Sequence, residues 1–517
     1  MNTVLLQSLV NPNVNLTLVL PEMIVAVVGI IVMLYDCFAP NQRKVTGAMS
    51  LIGLLLSAFA LFTLWSSGAG AAQPDWNGMI ALDGLRLSFT VVFLLVSALT
   101  ILVSTIWVER ENVPVGEYHA MLMFATFGMM LMASGNDMVI IFLGLETLSI
   151  ATYVMAGLRR TDLRSNESAM KYFILGSFAS AFLLYGMALI YGATGSTNIT
   201  EIAARVADPN FPALLLVGGA MLIVGFGFKA AAVPFHVWTP DVYEGAPTPV
   251  TAFMAAGPKA SAFASFIRVF VLGFPLVAGV QAAEILHESW VKALVVMAIL
   301  TMTVGNIAAI AQNNVKRMLA YSSIAHAGYA LVGFIGAGMA ETTAKRDEAI
   351  ISVAFYMLTY AVTNLGAFAI VTLIGQKNDR RTEFEDYNGI GFRSPALAFA
   401  LSLFMLSLLG LPLTAGFLGK VLVFRPAIEA GNTLLTVLVV AAVVNTAISA
   451  YYYLRLIVVM FFRERTTEWI NPRIPASLAA VLLITVIGVL YLGIFGGGVI
   501  ERFRSAPAPA AVTRAEK

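Results

Sequence analysis

Residues 225–268 decide the fold, and they read GFGFKAAAVPFHVWTPDVYEGAPTPVTAFMAAGPKASAFASFIR. Lys229 follows an uncharged run that begins at Phe211, and Lys259 lies inside a second uncharged run. An ammonium group at membrane depth costs about 2.5 to 3.5 kcal/mol on insertion scales. Because neither lysine is placed where it can easily reach water, the pair predicts a polar path through an apolar protein.

A proline follows the first of these lysines by five residues. Pro234 has no N–H and its ring clashes with the preceding turn, so we expect the helix that carries Lys229 to end there. A second break is predicted at Pro412, and Lys420 follows it in GLPLTAGFLGK, residues 410–420. Broken helices are tolerated at membrane depth only where the freed backbone faces protein or a water-filled cavity.

The composition predicts an all-α polytopic membrane protein. The chain is 59% hydrophobic and 12% charged, with a mean hydropathy of +0.85, which excludes a soluble globular protein. Because about 20 apolar residues cross the hydrocarbon core as a helix, the apolar runs predict about fourteen spans. They lie near 16–38, 45–66, 85–107, 118–134, 137–157, 168–193, 211–233, 248–273, 290–313, 318–337, 347–375, 394–424 (broken), 432–462 and 476–497.

The two breaks predict an internal repeat. They fall in the seventh and twelfth spans, so an odd number of steps separates them, which is the relation expected of two inverted five-helix units, spans 4–8 and 9–13. The predicted domains are an N-terminal three-helix segment (1–113), a first repeat (114–285), a second repeat (286–463), and a last helix with a short flexible tail (464–517).

The charges predict orientation and limit the partners. Loops after odd-numbered spans carry most of the loop Lys and Arg residues, so the loop with Arg159 is expected in the cytoplasm and both termini outside. A net charge of +2 gives no argument for a nucleic-acid partner, and the expected surroundings are lipid. The single cysteine, Cys37, excludes a disulfide within the chain and an all-cysteine cluster.

One carboxylate lies deep in the fifth predicted span. Glu146 is the only charged residue between Asp137 and Arg159. A lone buried carboxylate either takes up a proton or finds a cation, and Lys229 is its predicted partner. The alternative is a static ion pair that joins two helices, although apolar residues often replace such a pair without loss of stability.

Three further residues are candidate links in the same path. Lys171 begins the sixth span, where it can also extend to the membrane surface as an ordinary interfacial lysine. His236 lies two residues after Pro234, and His326 lies within AYSSIAHAGYALVG. Histidine titrates near physiological pH, which suits a proton relay, but a histidine on an apolar helix face is also compatible with a purely structural role.

The sequence contains no motif for nucleotide binding or for metal-dependent hydrolysis. It contains no Walker loop, no HExxH and no GxGxxG after a strand. What remains is a row of protonatable groups at membrane depth, and such rows mark proton or ion paths. Its members are Glu146, Lys229, Lys259 and Lys420, with Lys171, His236 and His326 as candidate links.

Several motifs resemble a known family. KAAAVPFHVWTPDVYEGAPTPVTAF is similar to a segment of the antiporter-like membrane subunits of proton-pumping NADH:quinone oxidoreductase (respiratory complex I), and the DVYEGAPTPVTAF part is typical of the subunit N branch. The likeness extends over most of the chain. The other matching motifs are LPEM (20–23), IFLGLETLSIATYVM (141–155), ESAMKYFILGSFASAFLLYG (167–186), NNVKRMLAYSSIAHAGY (313–329) and GLPLTAGFLGK (410–420).

The resemblance implies a proton-translocating subunit without a cofactor of its own. Glu146 and Lys229 would be the ion pair of a first half-channel, Lys259 the central lysine and Lys420 the lysine of a second half-channel. FMN, iron–sulfur clusters and quinone would belong to other subunits. The partners would be other membrane subunits of complex I, including neighbouring antiporter-like subunits, in a bacterial inner (plasma) membrane with both termini on the periplasmic side.

Two other functions share these sequence features. A subunit of a multisubunit cation/proton antiporter would have the same fold and the same buried lysines, although the subunit N motifs argue against it. A purely structural membrane subunit would use its charges only to hold helices together. An enzyme that reduces quinone on this chain lacks a cofactor motif.

Overall fold

The computed structural model of the chain describes residues 15–39, 42–66, 78–111, 113–209, 211–464 and 474–505. Within these ranges the regular structure is helical, and three isolated bridges are the β-type pairing. The helices are α1 (Leu20–Phe38), α2 (Arg43–Ser66), α3 (Gly84–Glu111), α4 (Val115–Ser134), α5 (Met138–Ala156), α6 (Leu163–Thr194), α7 (Ile199–Arg205), α8 (Pro212–Ala230), α9 (Thr239–Gly245), α10 (Thr248–Phe266), α11 (Gln281–Ile310), α12 (Val315–Gly338), α13 (Thr343–Ile374), α14 (Ile390–Arg393), α15 (Pro395–Leu409), α16 (Ala415–Glu429), α17 (Thr433–Phe462), α18 (Ala476–Phe495) and α19 (Gly497–Arg504).

The helices coincide with the predicted spans. In the described part of the chain, twelve helices are long and apolar enough to cross a membrane. Helix α4 and the pair α15 and α16 occupy the other two predicted places. The prediction of an all-α, multi-pass membrane protein is therefore confirmed. The predicted flexible tail lies outside the described residues from position 506 onward.

Both predicted helix breaks are present. Helix α8 ends at Ala230, four residues before Pro234, and α15 ends at Leu409, three residues before Pro412. At the first break the indole Nε1 of Trp238 donates to the carbonyl of Phe228 at 3.1 Å. The freed backbone therefore faces protein, which is the condition under which a break is tolerated at membrane depth.

The two predicted repeats share three neighbour relations. Helix α4 packs against α5, and α11 packs against α12. Helix α6 packs against α8 in the first unit, as α13 packs against α15 and α16 in the second. Helix α10 also contacts α4, and α17 contacts α11. These relations are common to the two units, although α12 also packs against the second part of its unit's broken helix, α16.

A pair of backbone bridges supports the inverted relation. In each unit, the residues that start the second helix pair with the segment that follows the third helix. The hydrogen bonds are Met138 N to Thr197 O (2.9 Å) and Ile199 N to Asn136 O (2.8 Å) in the first unit, and Val315 N to Thr382 O (2.7 Å) and Phe384 N to Asn313 O (2.9 Å) in the second. Helices α5 and α12 are the fifth and tenth predicted spans, so the bridges fall on opposite membrane faces. The inverted repeat and the four domain boundaries remain predictions.

One buried ion pair joins two helices of the N-terminal segment, and a second attaches that segment to the first repeat. Arg86 on α3 bonds both carboxylate oxygens of Glu22 on α1 at 2.8 Å. Arg268, in the π-helical turn Ile267–Leu272 that continues α10, bonds both oxygens of Asp83 at 2.9 and 3.0 Å. The Arg268 guanidinium also donates to the carbonyl of Ala133. Removing one partner of such a pair leaves an uncompensated buried charge.

We predict that Asp83→Asn destabilises the protein by about 3–5 kcal/mol, because Arg268 then stays charged and buried without a counter-ion. The asparagine retains an oxygen for the Arg86 N–H at the start of α3. The double variant Asp83→Asn, Arg268→Met removes both charges and should recover most of the loss. The measurement is the thermal unfolding midpoint of the detergent-solubilised protein. A double variant that is no more stable than the single one would contradict this account.

Candidate functional site: a row of buried lysines and its hydroxyl partners

Lys229 lies in the last turn of α8 and is only 5% exposed. Its Nζ donates to the hydroxyl of Ser149 on α5 at 2.7 Å and lies 3.5 Å from the hydroxyl of Tyr172 on α6. The rings of Tyr153 and Tyr172 are 5.8 and 5.4 Å from the same nitrogen. A cation in the last turn of a helix also interacts favourably with the helix dipole. Lys229 is therefore held by neutral oxygens and aromatic faces.

Glu146 does not form the predicted ion pair, and that prediction is wrong for this structure. The salt bridges of the described residues do not join Glu146 to Lys229. Glu146 instead accepts a hydrogen bond from the hydroxyl of Ser180 on α6 at 2.5 Å. Ser180 donates a hydrogen bond to the Glu146 carboxylate, and Ser149 accepts one from the Lys229 ammonium. Each charge therefore has a neutral partner. A cleft lined by Ser149, Ser180 and Lys229 lies beside them.

Two predicted links lie away from the buried row. Lys171 donates to Glu167 at 2.7 Å and to Asp241 at 2.8 Å, and its side chain is 40% exposed. This geometry matches the interfacial alternative. His236 is half-buried between α8 and α9, and the hydrogen bonds of the described residues do not join it to Lys229 or to Lys259.

Lys259 is 2% exposed and lies on α10, a helix that is buried throughout its length. Its Nζ donates to both the carbonyl and the hydroxyl oxygens of Ser323 on α12 at 2.5 Å. The sequence placed Ser323 near His326, and the structure adds that it is the partner of the central lysine.

His326 lies one helical turn after Ser323 and is fully enclosed. Its Nδ1 is 2.7 Å from the hydroxyl of Tyr356 on α13, and its Nε2 is 3.2 Å from the hydroxyl of Tyr453 on α17. The Tyr453 hydroxyl is also 2.5 Å from that of Ser322. A neutral imidazole has one donor and one acceptor nitrogen, so one tyrosine donates to His326 while the other accepts.

Lys420 reaches back across the second helix break. Its Nζ donates to the carbonyls of Leu408 and Leu409 at 3.1 and 2.9 Å, which are the last carbonyls of α15. The same nitrogen lies 4.6 Å from the centre of the Tyr329 ring, within the range of a cation–π contact. The Tyr329 ring in turn makes an edge contact with His326 at 5.5 Å.

These contacts divide the predicted row into two clusters. The central cluster runs from Lys259 through Ser323 and His326 to Lys420 and contains the hydroxyls of two tyrosines. The other cluster contains Lys229 and Glu146. Aromatic residues lie between the clusters: Trp238 stacks on Tyr172 with ring centres 4.4 Å apart, and its edge contacts Tyr243.

Sequence reasoning missed the tyrosines that hold His326. They lie on α13 and α17, 30 and 127 residues from the histidine. Their only sequence signal is a hydroxyl within an apolar helix, which many structural tyrosines share. A second buried network was also missed, in which Asn306 donates to the Tyr329 hydroxyl at 3.1 Å and accepts from Tyr452 at 2.9 Å.

The fold and this row define a class: a multi-pass membrane protein with two broken helices, each beside a buried lysine. A family model described as NADH:quinone oxidoreductase/Mrp antiporter, TM matches residues 135–449. This chain belongs to that family, and the resemblance drawn from its motifs is confirmed.

Known proteins of this kind are similar to the chain over nearly its whole length. The NADH-quinone oxidoreductase subunit N of Trichlorobacter lovleyi is 44% identical over 493 residues, which cover 94% of this chain and 96% of the relative. A solved chain of respiratory complex I from Thermus thermophilus with bound Aureothin is 36% identical, with a TM-score of 0.75, and the match covers 93% and 98% of the two chains. A chain of the Mrp complex from Dietzia sp. DQ12-45-1b has a TM-score of 0.76 at 20% identity, covering 94% and 96%, which is a likeness of fold alone.

We predict that Tyr453→Phe slows proton transfer through this chain by about tenfold or more, because it removes the hydroxyl shared by Ser322 and His326. The measurement is the initial rate of proton pumping by the assembled complex in vesicles. Tyr118→Phe is the matched control, since Tyr118 is equally buried but lies on α4. Equal pumping by both variants and the unaltered protein would show that the hydroxyl has no part in transfer.

Proposed function

We propose that this chain is the proton-translocating subunit N of an NADH:quinone oxidoreductase. The observation that carries the proposal is the central cluster: Lys259 bonds Ser323, His326 follows one helical turn later, and the Tyr329 ring contacts both His326 and Lys420. Titratable groups at membrane depth are costly, and they mark ion and proton paths. The identity to subunit N relatives supports the same function.

The central cluster can pass a proton without a large movement. The Lys259 ammonium can give a proton to the hydroxyl oxygen of Ser323 while that hydroxyl releases its own proton to a water on the side of His326, which leaves Lys259 neutral. His326 then accepts a proton on one ring nitrogen and releases one from the other, toward Tyr356 or Tyr453. Lys420 receives the proton at the far end, where the carbonyls of Leu408 and Leu409 accept hydrogen bonds from its ammonium. Water would complete the steps that these side chains do not span.

The Lys229 cluster would control the loading of this path. The attraction between a carboxylate and an ammonium grows steeply as they approach in a low-dielectric interior. Glu146 and Lys229 each have a serine partner in this structure, so they can exchange these partners for each other. Moving Glu146 toward Lys229 would strengthen the lysine's hold on its proton, and moving it away would release the proton toward Lys259.

The driving energy would come from other subunits. Moving one charge against 100 mV takes about 2.3 kcal/mol. In this proposal, no energy-yielding reaction on this chain supplies that energy. We propose that FMN, iron–sulfur clusters and quinone are held by partner subunits, a view supported by the single cysteine of this sequence. The partners would include neighbouring antiporter-like subunits. Among the described residues there is no cluster of three or more metal-ligating side chains.

The proposed location is a bacterial inner membrane, with lipid around the exposed apolar faces and both termini on the periplasmic side. The excess of Lys and Arg in loops after odd-numbered spans supports this sidedness. The four domains assigned from the sequence would then be an N-terminal three-helix segment, two inverted repeats and a terminal helix with its tail.

We predict that Lys259→Met and Lys259→Arg both reduce pumping in the assembled complex. Methionine keeps much of the volume but cannot titrate, and arginine keeps the charge but does not deprotonate in proteins. Each variant should lower the protons pumped per NADH, while the amount of assembled complex stays near that of the unaltered protein.

Other outcomes would identify another function. Unchanged pumping stoichiometry in both variants would favour a purely structural subunit. Full pumping by Lys259→Arg with loss in Lys259→Met would make Lys259 a fixed charge that tunes its neighbours. Sodium transport by this chain alone in proteoliposomes would favour a cation/proton antiporter.

A further inference from the structure

A buried carboxylate outside the row gathers cations from three parts of the chain. Asp379 lies in the turn after α13 and is 6% exposed. Its Oδ2 is 3.3 Å from Lys316 Nζ and 3.4 Å from Arg159 Nη1, and its Oδ1 is 3.5 Å from Arg110 Nη2. The three cations come from the start of α12, the loop between α5 and α6, and the end of α3. The proposed proton path uses none of these residues.

The same group of residues holds the turn that leads into α10. The N–H of Thr248, the first residue of α10, donates to Asp379 Oδ2 at 3.2 Å. Lys316 donates to the carbonyl of Ala246 at 2.8 Å, and Arg159 donates to that of Gly245 at 3.1 Å. The carboxylate and its cations therefore satisfy the backbone of the GAPTP turn, residues 245–249, from both sides.

The backbone around Asp379 adopts conformations that need support. Gln376, Asn378 and Asp379 have φ values of 55°, 61° and 49°, in the left-handed region that residues with a side chain rarely occupy. Such conformations persist where the surroundings determine them, and they concentrate at functional sites. Asn378 N donates to Glu111 at 2.8 Å, which gives this turn a further attachment to α3.

Asp379 contacts the first turns of both α10 and α12, the two helices that carry Lys259 and Ser323. Lys259 lies eleven residues after Thr248 on α10, and Ser323 lies seven residues after Lys316 on α12. At a rise of 1.5 Å per residue these separations are about 16.5 and 10.5 Å along the two helices. Both helices are even-numbered spans and run in the same direction. Because Thr248 and Lys316 meet at one oxygen, Asp379 relates the axial positions of α10 and α12.

We propose that Asp379 is a positioning residue that fixes the register of α10 against α12 and so keeps Lys259 within hydrogen-bond reach of Ser323. The inference rests on the proposed function, since it gives the register a role in proton transfer. It differs from a simple structural lock because it connects a turn at the end of the membrane-spanning part to one hydrogen bond in the interior.

The Asp379 carboxyl group is ionised under physiological conditions. Burial by itself raises the pKa of this carboxyl, but Lys316, Arg159 and Arg110 outweigh that effect and hold the pKa below its usual range. The carboxylate is therefore ionised at neutral pH. Asparagine at this position would keep the size and one oxygen acceptor while removing the charge that draws Lys316 and Arg159 to the turn.

The test uses the complete complex with Asp379→Asn and, as a second variant, Lys316→Met, which releases α12 from the carboxylate. Glu385→Gln is the matched control, because Glu385 lies in the same loop and is exposed. We expect both test variants to assemble and to lower the rate of proton transfer by about tenfold to a hundredfold, since a displacement of 1 Å can cost a hundredfold. The control should pump like the unaltered protein, and Asp379→Glu should recover part of the loss.

A double-mutant cycle separates positioning from general destabilisation. If Asp379 acts through the contact between Lys259 and Ser323, then Asp379→Asn should cause little further loss in a Ser323→Ala background, because interacting sites are not additive. Additive losses would overturn the proposal, as would unchanged pumping by Asp379→Asn. Failure of both test variants to assemble would make Asp379 a folding determinant and would also overturn it. Unchanged pumping by Lys259→Met would instead reject the proposed function itself.

Discussion

The hydrogen bonds from Lys259 to Ser323 are the interaction on which the rest of the structure depends. An ammonium in an apolar interior is stable only if oxygens replace the water it has lost. Here one residue of α12 supplies both oxygens, so α10 and α12 must be held in a fixed relation. Helix α13 is buried along its membrane-spanning length beside them, and the ion pair of Asp83 with Arg268 attaches the far end of α10 to α3. The surrounding helices thus enclose one costly charge.

The two helix breaks solve the same backbone problem in different ways. At the first break a neutral indole, from Trp238, caps the carbonyl of Phe228, and Lys229 is left to bind a serine. At the second break the ammonium of Lys420 itself caps the carbonyls of Leu408 and Leu409. A lysine held by one short bond to a serine hydroxyl and a long one to a tyrosine has more freedom to change partners than one held by two carbonyls. The breaks are therefore related in topology but differ in how firmly each holds its cation.

The sequence predicted the helices and both breaks because these features are local. Apolar run length decides where a helix can cross the membrane, and Pro234 and Pro412 end helices by their own covalent structure. The buried lysines were also visible, since a charge in an apolar run stands out. Their partners were not, because Ser149 lies 80 positions from Lys229 and Ser323 lies 64 positions from Lys259.

Charge alone misled at two points. Glu146 and Lys229 have opposite charges on neighbouring helices. Nevertheless, Glu146 is bonded to Ser180 of α6 and Lys229 to Ser149 of α5, and the two charged groups do not pair with each other. Nothing in the sequence distinguishes Asp379, because GQKNDRR, residues 375–381, has the composition of an ordinary polar loop. Only the three-dimensional arrangement brings Arg110, Arg159 and Lys316 around it. Both cases depend on how helices pack, which a local sequence pattern does not encode.

The most direct test of the central claim is whether Lys259 changes its protonation during turnover. Redox-induced infrared difference spectra of the assembled complex, prepared with and without ¹⁵N-labelled lysine, can detect changes at lysine amino groups. The account predicts label-sensitive bands in the unaltered complex that are lost in Lys259→Arg. Identical label-sensitive bands in the two complexes would mean that Lys259 keeps its proton throughout, and would contradict a relay through this residue.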